Sequence, residues 1–138
     1  MNEAHFKKLE HAYHSAKINQ IPYKDMILTV SEGEAKLTYP VSSNFFHKME
    51  GLHGSVYFKM LDDAAFFAVN SLVEGVFVLT TSFSIDLLRP VRTGNLIAEG
   101  WVSFESRNLW VAESTLTDER GRKVAIGKGR FVKSNIPL

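Results

Sequence analysis

The sequence contains no cysteine. Thiolate catalysis, cysteine-ligated zinc and a disulfide framework are therefore excluded. It also lacks an excess of charge of one sign: 16 Lys and Arg stand against 15 Asp and Glu, a net of +1. Proteins that grip nucleic acid or an anionic membrane carry a larger basic excess. No DNA-binding module is evident, so no nucleic-acid partner is expected. No uninterrupted apolar run approaches the roughly 18 residues of a membrane span. The opening Met-Asn-Glu-Ala-His-Phe-Lys-Lys-Leu-Glu lacks the basic-then-apolar layout of a signal peptide. The expectation is a soluble, cytoplasmic protein with no membrane partner. What is present is ordinary globular usage, 45 % hydrophobic and 22 % charged, which excludes a disordered chain. The 138 residues suit one domain able to bury about two-thirds of its unfolded surface.

Apolar positions Leu9, Ala12, Tyr13 and Ala16 predict a helix over residues 3 to about 17, ended by Ile21-Pro22. Residues 1–22 thus form an amino-terminal helical arm, with His5, His11 and His14 expected on its solvated face. Residues 26–31 and 34–41 read as strands around Glu32-Gly33, and 42–52 as a loop with a turn of helix. From Gly54 to about Leu72 the period becomes helical. Val56, Met60, Ala64, Phe67 and Leu72 form one stripe, and Phe58, Leu61, Ala65 and Phe66 nearly close the circle. A helix apolar almost all round is a buried, central one. Four strands follow, at about 76–88, 95–105, 109–117 and 123–133, with two breaks short enough for hairpins. The expected fold is α+β: one long helix wrapped by a curved, mostly antiparallel sheet of about six strands.

Two adjacent acids, Asp62 and Asp63, lie in that buried helix. Asp63 has Lys59 one turn earlier, a pairing worth about 0.2–0.5 kcal/mol in a helix. Asp62 has Phe58 and Phe66 at i−4 and i+4. Desolvation between aromatics raises a carboxyl pKa and suits a general base or a nucleophile. A carboxylate that caps or ties down a loop is the alternative. Gly54 opens the helix, where unpaired N–H groups and the dipole can hold an oxyanion. It can equally be a glycine that merely admits the chain. Eight residues at about 1.5 Å rise separate Gly54 from Asp62 by roughly 12 Å, too far for one substrate to meet both. If both are catalytic, Gly54 of one subunit must face Asp62 of another, in a two-fold dimer with two equal sites.

His53-Gly54-Ser55 with Asp62, followed by Ser84-Ile85-Asp86-Leu87-Leu88-Arg89-Pro90 and Gly94, resembles the hotdog-fold acyl-CoA thioesterases of the phenylacetate-degradation branch. There the pattern is Asn-x5-His-Gly-Gly-x6-Asp, and the likeness covers about residues 26–133. The resemblance implies a hydrolase with Asp62 as the catalytic carboxylate, Gly54 N–H as the donor to the thioester carbonyl, and Thr80 or Thr81 holding the water. It implies a homodimer, with dimers pairing into a homotetramer. Acyl-CoA is the implied substrate, its acyl group lying near Phe58, Phe66 and Met49. Ser55 replaces the second glycine, and His47 stands where the family has Asn. An imidazole there can still hold the water or the thioester. His53 is expected to hydrogen-bond at the helix start, next to the substrate.

No cofactor beyond the coenzyme A of the substrate is implied. His47, His53 and Asp62 lack metal-ligand spacing, so no metal is expected. Residues 1–88 hold seven lysines and no arginine, and all six arginines follow. Arg89 and Arg92 are the better candidates for nucleotide phosphates, although each also reads as a solvated loop residue. Two other readings stand beside hydrolysis. One is a hotdog enoyl-CoA hydratase or dehydratase, with a His opposed to a carboxylate. The other is a non-catalytic acyl-CoA-binding protein.

Overall fold

The computed structural model describes residues 2–138. The arm is two helices, α1 (Glu3–Ser15) and α2 (Lys17–Gln20). Then come strands β1 (Ile27–Ser31) and β2 (Glu34–Pro40), a single 3-10 turn at Ser43–Phe45, and helix α3 (Gly54–Asn70). Strands β3 (Val76–Leu87), β4 (Asn95–Glu105), β5 (Trp110–Thr117) and β6 (Lys123–Pro137) complete the chain. All pair antiparallel in one six-stranded sheet of order β1-β2-β4-β5-β6-β3. Helix α3 touches every strand, so the sheet wraps it as the hotdog resemblance implies.

The all-round apolarity of α3 has its expected result. Val56, Met60, Leu61, Ala64, Ala65 and Ala68 are fully buried, and the larger of these side chains contribute about 1.5–3 kcal/mol each. The helix lies directly on β4 because position 100 is glycine. A Cβ there would run into the backbone of Ala64 and Ala65. Buried Asn70 anchors the far end of α3. Its amide donates to the carbonyls of Val73 and Val76, each at 3.0 Å, and its Oδ1 accepts from Val78 N at 2.9 Å.

The arm differs from the expectation. His5 is buried and its Nε2 lies 2.8 Å from the Asn70 carbonyl. His14 is half-buried, and its Nε2 accepts from Leu28 N at 3.3 Å. Glu10 Oε2 accepts from Val30 N at 2.8 Å. Only His11 is exposed. The cause is the β1 edge: its outward N–H groups need acceptors, and α1 turns its polar side chains inward to supply them. Phe6, Leu9 and Tyr13 are buried alongside. Strand β6 also runs four residues past the expected end at 133, because it pairs with the start of β3 as far as Val76↔Pro137.

Candidate functional site

Helix α3 carries two groups of side chains at different levels. At its start, His53 is the N-cap in extended conformation, and its Nδ1 accepts from Ser55 N at 3.0 Å. Val56 N donates to the His53 carbonyl at 3.0 Å. The Gly54 N–H has no protein acceptor among the described residues, so it is a free donor at the positive end of the helix. His53 itself is exposed and its ring caps its own helix. The Ser55 bonds occupy Nδ1, so in the neutral ring the proton sits on Nε2.

His47 joins Gly54. Both line a cleft of about 310 Å³ with Gly51, Leu52, Tyr57, Leu87, Leu88, Arg89, Pro90 and Arg92. His47 Nδ1 accepts from Met49 N at 3.1 Å, which leaves Nε2–H as the free donor. Glu50 holds a positive φ of 63°, a conformation unusual for a residue with a side chain, and so closes the tight turn beside His47. The loop wall is fixed through its backbone. Tyr57 Oη donates to the Arg89 carbonyl at 3.0 Å, and Leu52 N to the Val91 carbonyl at 2.8 Å. Two arginines, a histidine and no carboxylate make this cleft electropositive.

Two turns along α3, Thr80 Oγ1 donates to Asp62 Oδ1 at 3.1 Å. Burial, then the neighbouring Asp63 charge, push the Asp62 carboxyl up from 3.8 to about 6, against the opposing pull of the Thr80 hydroxyl and Lys59. Thr81 does not join this pair; its hydroxyl donates to the Arg130 carbonyl at 3.1 Å. The reason is a bulge. Thr80 pairs with Phe131 and Ser82 with Arg130, so Thr81 is an extra residue that reverses the alternation of β3. Val78 and Thr80 face the helix before it, Phe83 and Ile85 after it. The Phe83 ring fills space that exists because positions 127 and 129 are glycines.

Of the aromatics flanking Asp62, Phe58 is 40 % exposed and meets the Phe83 ring edge-on at 5.5 Å between centroids. Phe66 is half-buried and packs on Phe67 and Phe131. Met49 is 77 % exposed, in the chain turn beside His47. Asp63 is more than the helix-surface partner expected from spacing. Its Oδ2 accepts from Lys59 Nζ at 2.8 Å and from the buried Tyr13 hydroxyl of α1 at 3.1 Å. Sequence reasoning counted Tyr13 as apolar stripe only; a buried tyrosine hydroxyl needing a partner was the available signal. No group of three His, Asp or Glu side chains suited to a metal occurs among the described residues, and no helix there is long and apolar enough to cross a membrane.

The sequence pattern of the thioesterase superfamily matches residues 49–125, more than half of the chain and the segment that carries Gly54, Asp62 and Thr80. The acyl-coenzyme A thioesterase PaaI of Escherichia coli is 27 % identical over 105 residues, covering 75 % of this chain and 74 % of that protein. Among solved structures, the E. coli PaaI protein from the phenylacetic acid degradation operon superposes with a TM-score of 0.84 at 20 % identity, over 95 % of this chain and 94 % of that one. A thioesterase of Haemophilus influenzae does so with a TM-score of 0.81 at 19 % identity, over 95 % and 91 %. These superpositions establish the hotdog fold.

Proposed function

The chain belongs to the thioesterase superfamily, and from that premise we propose that it hydrolyses acyl-coenzyme A thioesters to the free acid and coenzyme A, the activity carried by its E. coli relative's name. The observation that carries the reading is the Asp62–Thr80 pair: a half-buried helix carboxyl raised to about 6 and held by a hydroxyl. Such a group is an ionised base at neutral pH yet basic enough to take a proton from water. Asp62 removes the proton as the water oxygen bonds to the thioester carbon. Gly54 N–H of the partner subunit stabilises the resulting oxyanion. The C–S bond then breaks, and the proton held by Asp62 passes to the leaving thiolate. His47, on the Gly54 side, donates from Nε2 to the thioester or the water. The reading needs no metal or organic cofactor, because a thioester is already an activated acyl group.

The shared site rests on two supports. One is the roughly 12 Å of axial separation between Gly54 and Asp62 on one helix. The other is the contrast between the sheet edges. Helix α1 caps β1 with Glu10 and His14, whereas β3 is an edge strand of 12 residues with no neighbouring strand beyond it among the described residues. Leu79 and Leu87 on β3 are 44 % and 53 % exposed, and Phe58 on α3 is 40 % exposed. An uncovered edge of this length is a template for a second copy. On the family resemblance alone, two such dimers pair into a tetramer.

A panel of aromatic and aliphatic acyl-CoA substrates with a free-thiol readout tests the reading. Asp62→Asn should lower turnover by about 10²–10⁴. Absence of thiol release from every member of the panel would overturn it. Single turnover in heavy-oxygen water checks the role of Asp62: a base leaves its carboxylate unlabelled, whereas label in the carboxylate marks a nucleophile whose anhydride is hydrolysed at the Asp62 carbonyl carbon.

A further inference from the structure

The amino-terminal arm reaches the site through a polar cluster with no part in the mechanism above. Asp63 is adjacent in sequence to Asp62 and its side chain is only 18 % exposed. Two donors fix it from two elements, Lys59 Nζ from α3 and Tyr13 Oη from α1. Lys59 is fixed in turn. Its side chain is 13 % exposed, and Nζ lies 5.3 Å from the Tyr13 ring centroid and 5.0 Å from that of Tyr23, within cation–π range. Tyr23 stacks on Phe45 at 4.8 Å, and the Phe45 carbonyl accepts from His53 N. Asp63 therefore cannot swing away to solvent as a surface acid would, and its carboxyl, raised by burial against the opposing pull of Lys59 and Tyr13, stays beside Asp62. The Tyr13 phenol is held protonated by burial and by the Asp63 charge, so it remains a donor.

We propose that Asp63, held by Lys59 and Tyr13, is a positioning residue for Asp62, and that the opposed charges of Asp63 and Lys59 set the pH above which Asp62 is the free carboxylate. Within its own chain, Asp62 has these two charges as its charged neighbours. Asp63 and Lys59 are the charged groups that act on it, and Thr80 on β3 contributes a neutral hydroxyl. Glu113 of β5 and Lys128 and Arg130 of β6 line a cleft with Ser82 and Ser84, on the opposite face of the sheet. Asp86 of β3 and Lys123 of β6 line an adjoining cleft there. A carboxylate fixed nearby resists ionisation of its neighbour, and a fixed ammonium assists it.

The inference rests on Asp62 as the catalytic base, so its test has a readout independent of turnover. Asp63→Asn and Lys59→Gln each remove one charge and keep a hydrogen-bonding amide, so the cluster can still form. The Asp62 side-chain carboxyl is followed by carbon NMR across pH 4–9, and the acid limb of kcat/KM is followed in parallel. In Asp63→Asn the Asp62 midpoint should move to lower pH. In Lys59→Gln it should move to higher pH. The kinetic limb should follow in both. Opposite NMR shifts without any thioester turnover would retain this inference and defeat the hydrolase reading. Folded variants in which the Asp62 midpoint stays put, or moves the same way in both, would overturn the inference and leave the hydrolase reading untouched.

Discussion

Asp62 makes the fold less stable at neutral pH than it could be. Its folded-state pKa is raised from 3.8 to about 6 by burial and Asp63. The folded chain therefore holds this proton more tightly than the unfolded chain does. The charged form is penalised above about pH 6, and the penalty fades on acidification until it is absent below 3.8. The interval between those values corresponds to at most about 3 kcal/mol. Asp62→Asn should thus stabilise the protein at pH 8 while abolishing its base. Urea unfolding at pH 8 and pH 4 checks this: the gain should be present at the first and nearly gone at the second. An equal gain at both would mean that charge burial is not the cause.

At the scale of elements, the β3 bulge decides which threonine serves Asp62. Thr80→Val removes a donor that favours the carboxylate, so the acid limb of the pH–rate profile should move to higher pH. Thr81→Val should leave that limb in place. The same bulge shows where sequence reading stops. Alternation along β3 is legible only as far as its register is unbroken, and one inserted residue exchanges the faces. The two candidates could therefore not be separated until the pairing with β6 was known. Helix α3 was legible because its apolarity is local and continuous, and its ends at Gly54 and Asn70 lie within two residues of the expectation. Its seat on β4 was not legible, because Gly100 matters only through the Ala64 and Ala65 backbone it meets across the fold. Gly100→Ala should cost about 1–3 kcal/mol by overpacking, read as a lower urea midpoint with unchanged slope.

For the whole molecule, the proposed site is divided between two chains. The motif supplied Gly54 and Asp62, and helix geometry alone showed that one chain cannot use both on one substrate. The arm was the part least legible: its histidines read as solvated, yet it seals the β1 edge and reaches Asp63 through Tyr13. The most direct measurement mixes two inactive variants. Gly54→Pro removes the N–H at the first helical position, where proline is tolerated. His53 is already extended, as a residue before proline prefers. Asp62→Asn removes the base. Each variant alone should be inactive. After unfolding and refolding together in equal amounts, half of the dimers should be mixed, each with one intact site built from Gly54 of one chain and Asp62 of the other. Thiol release should then return to about a quarter of the wild-type rate. A mixture whose chains have demonstrably exchanged and that stays as inactive as its parents would contradict the shared site.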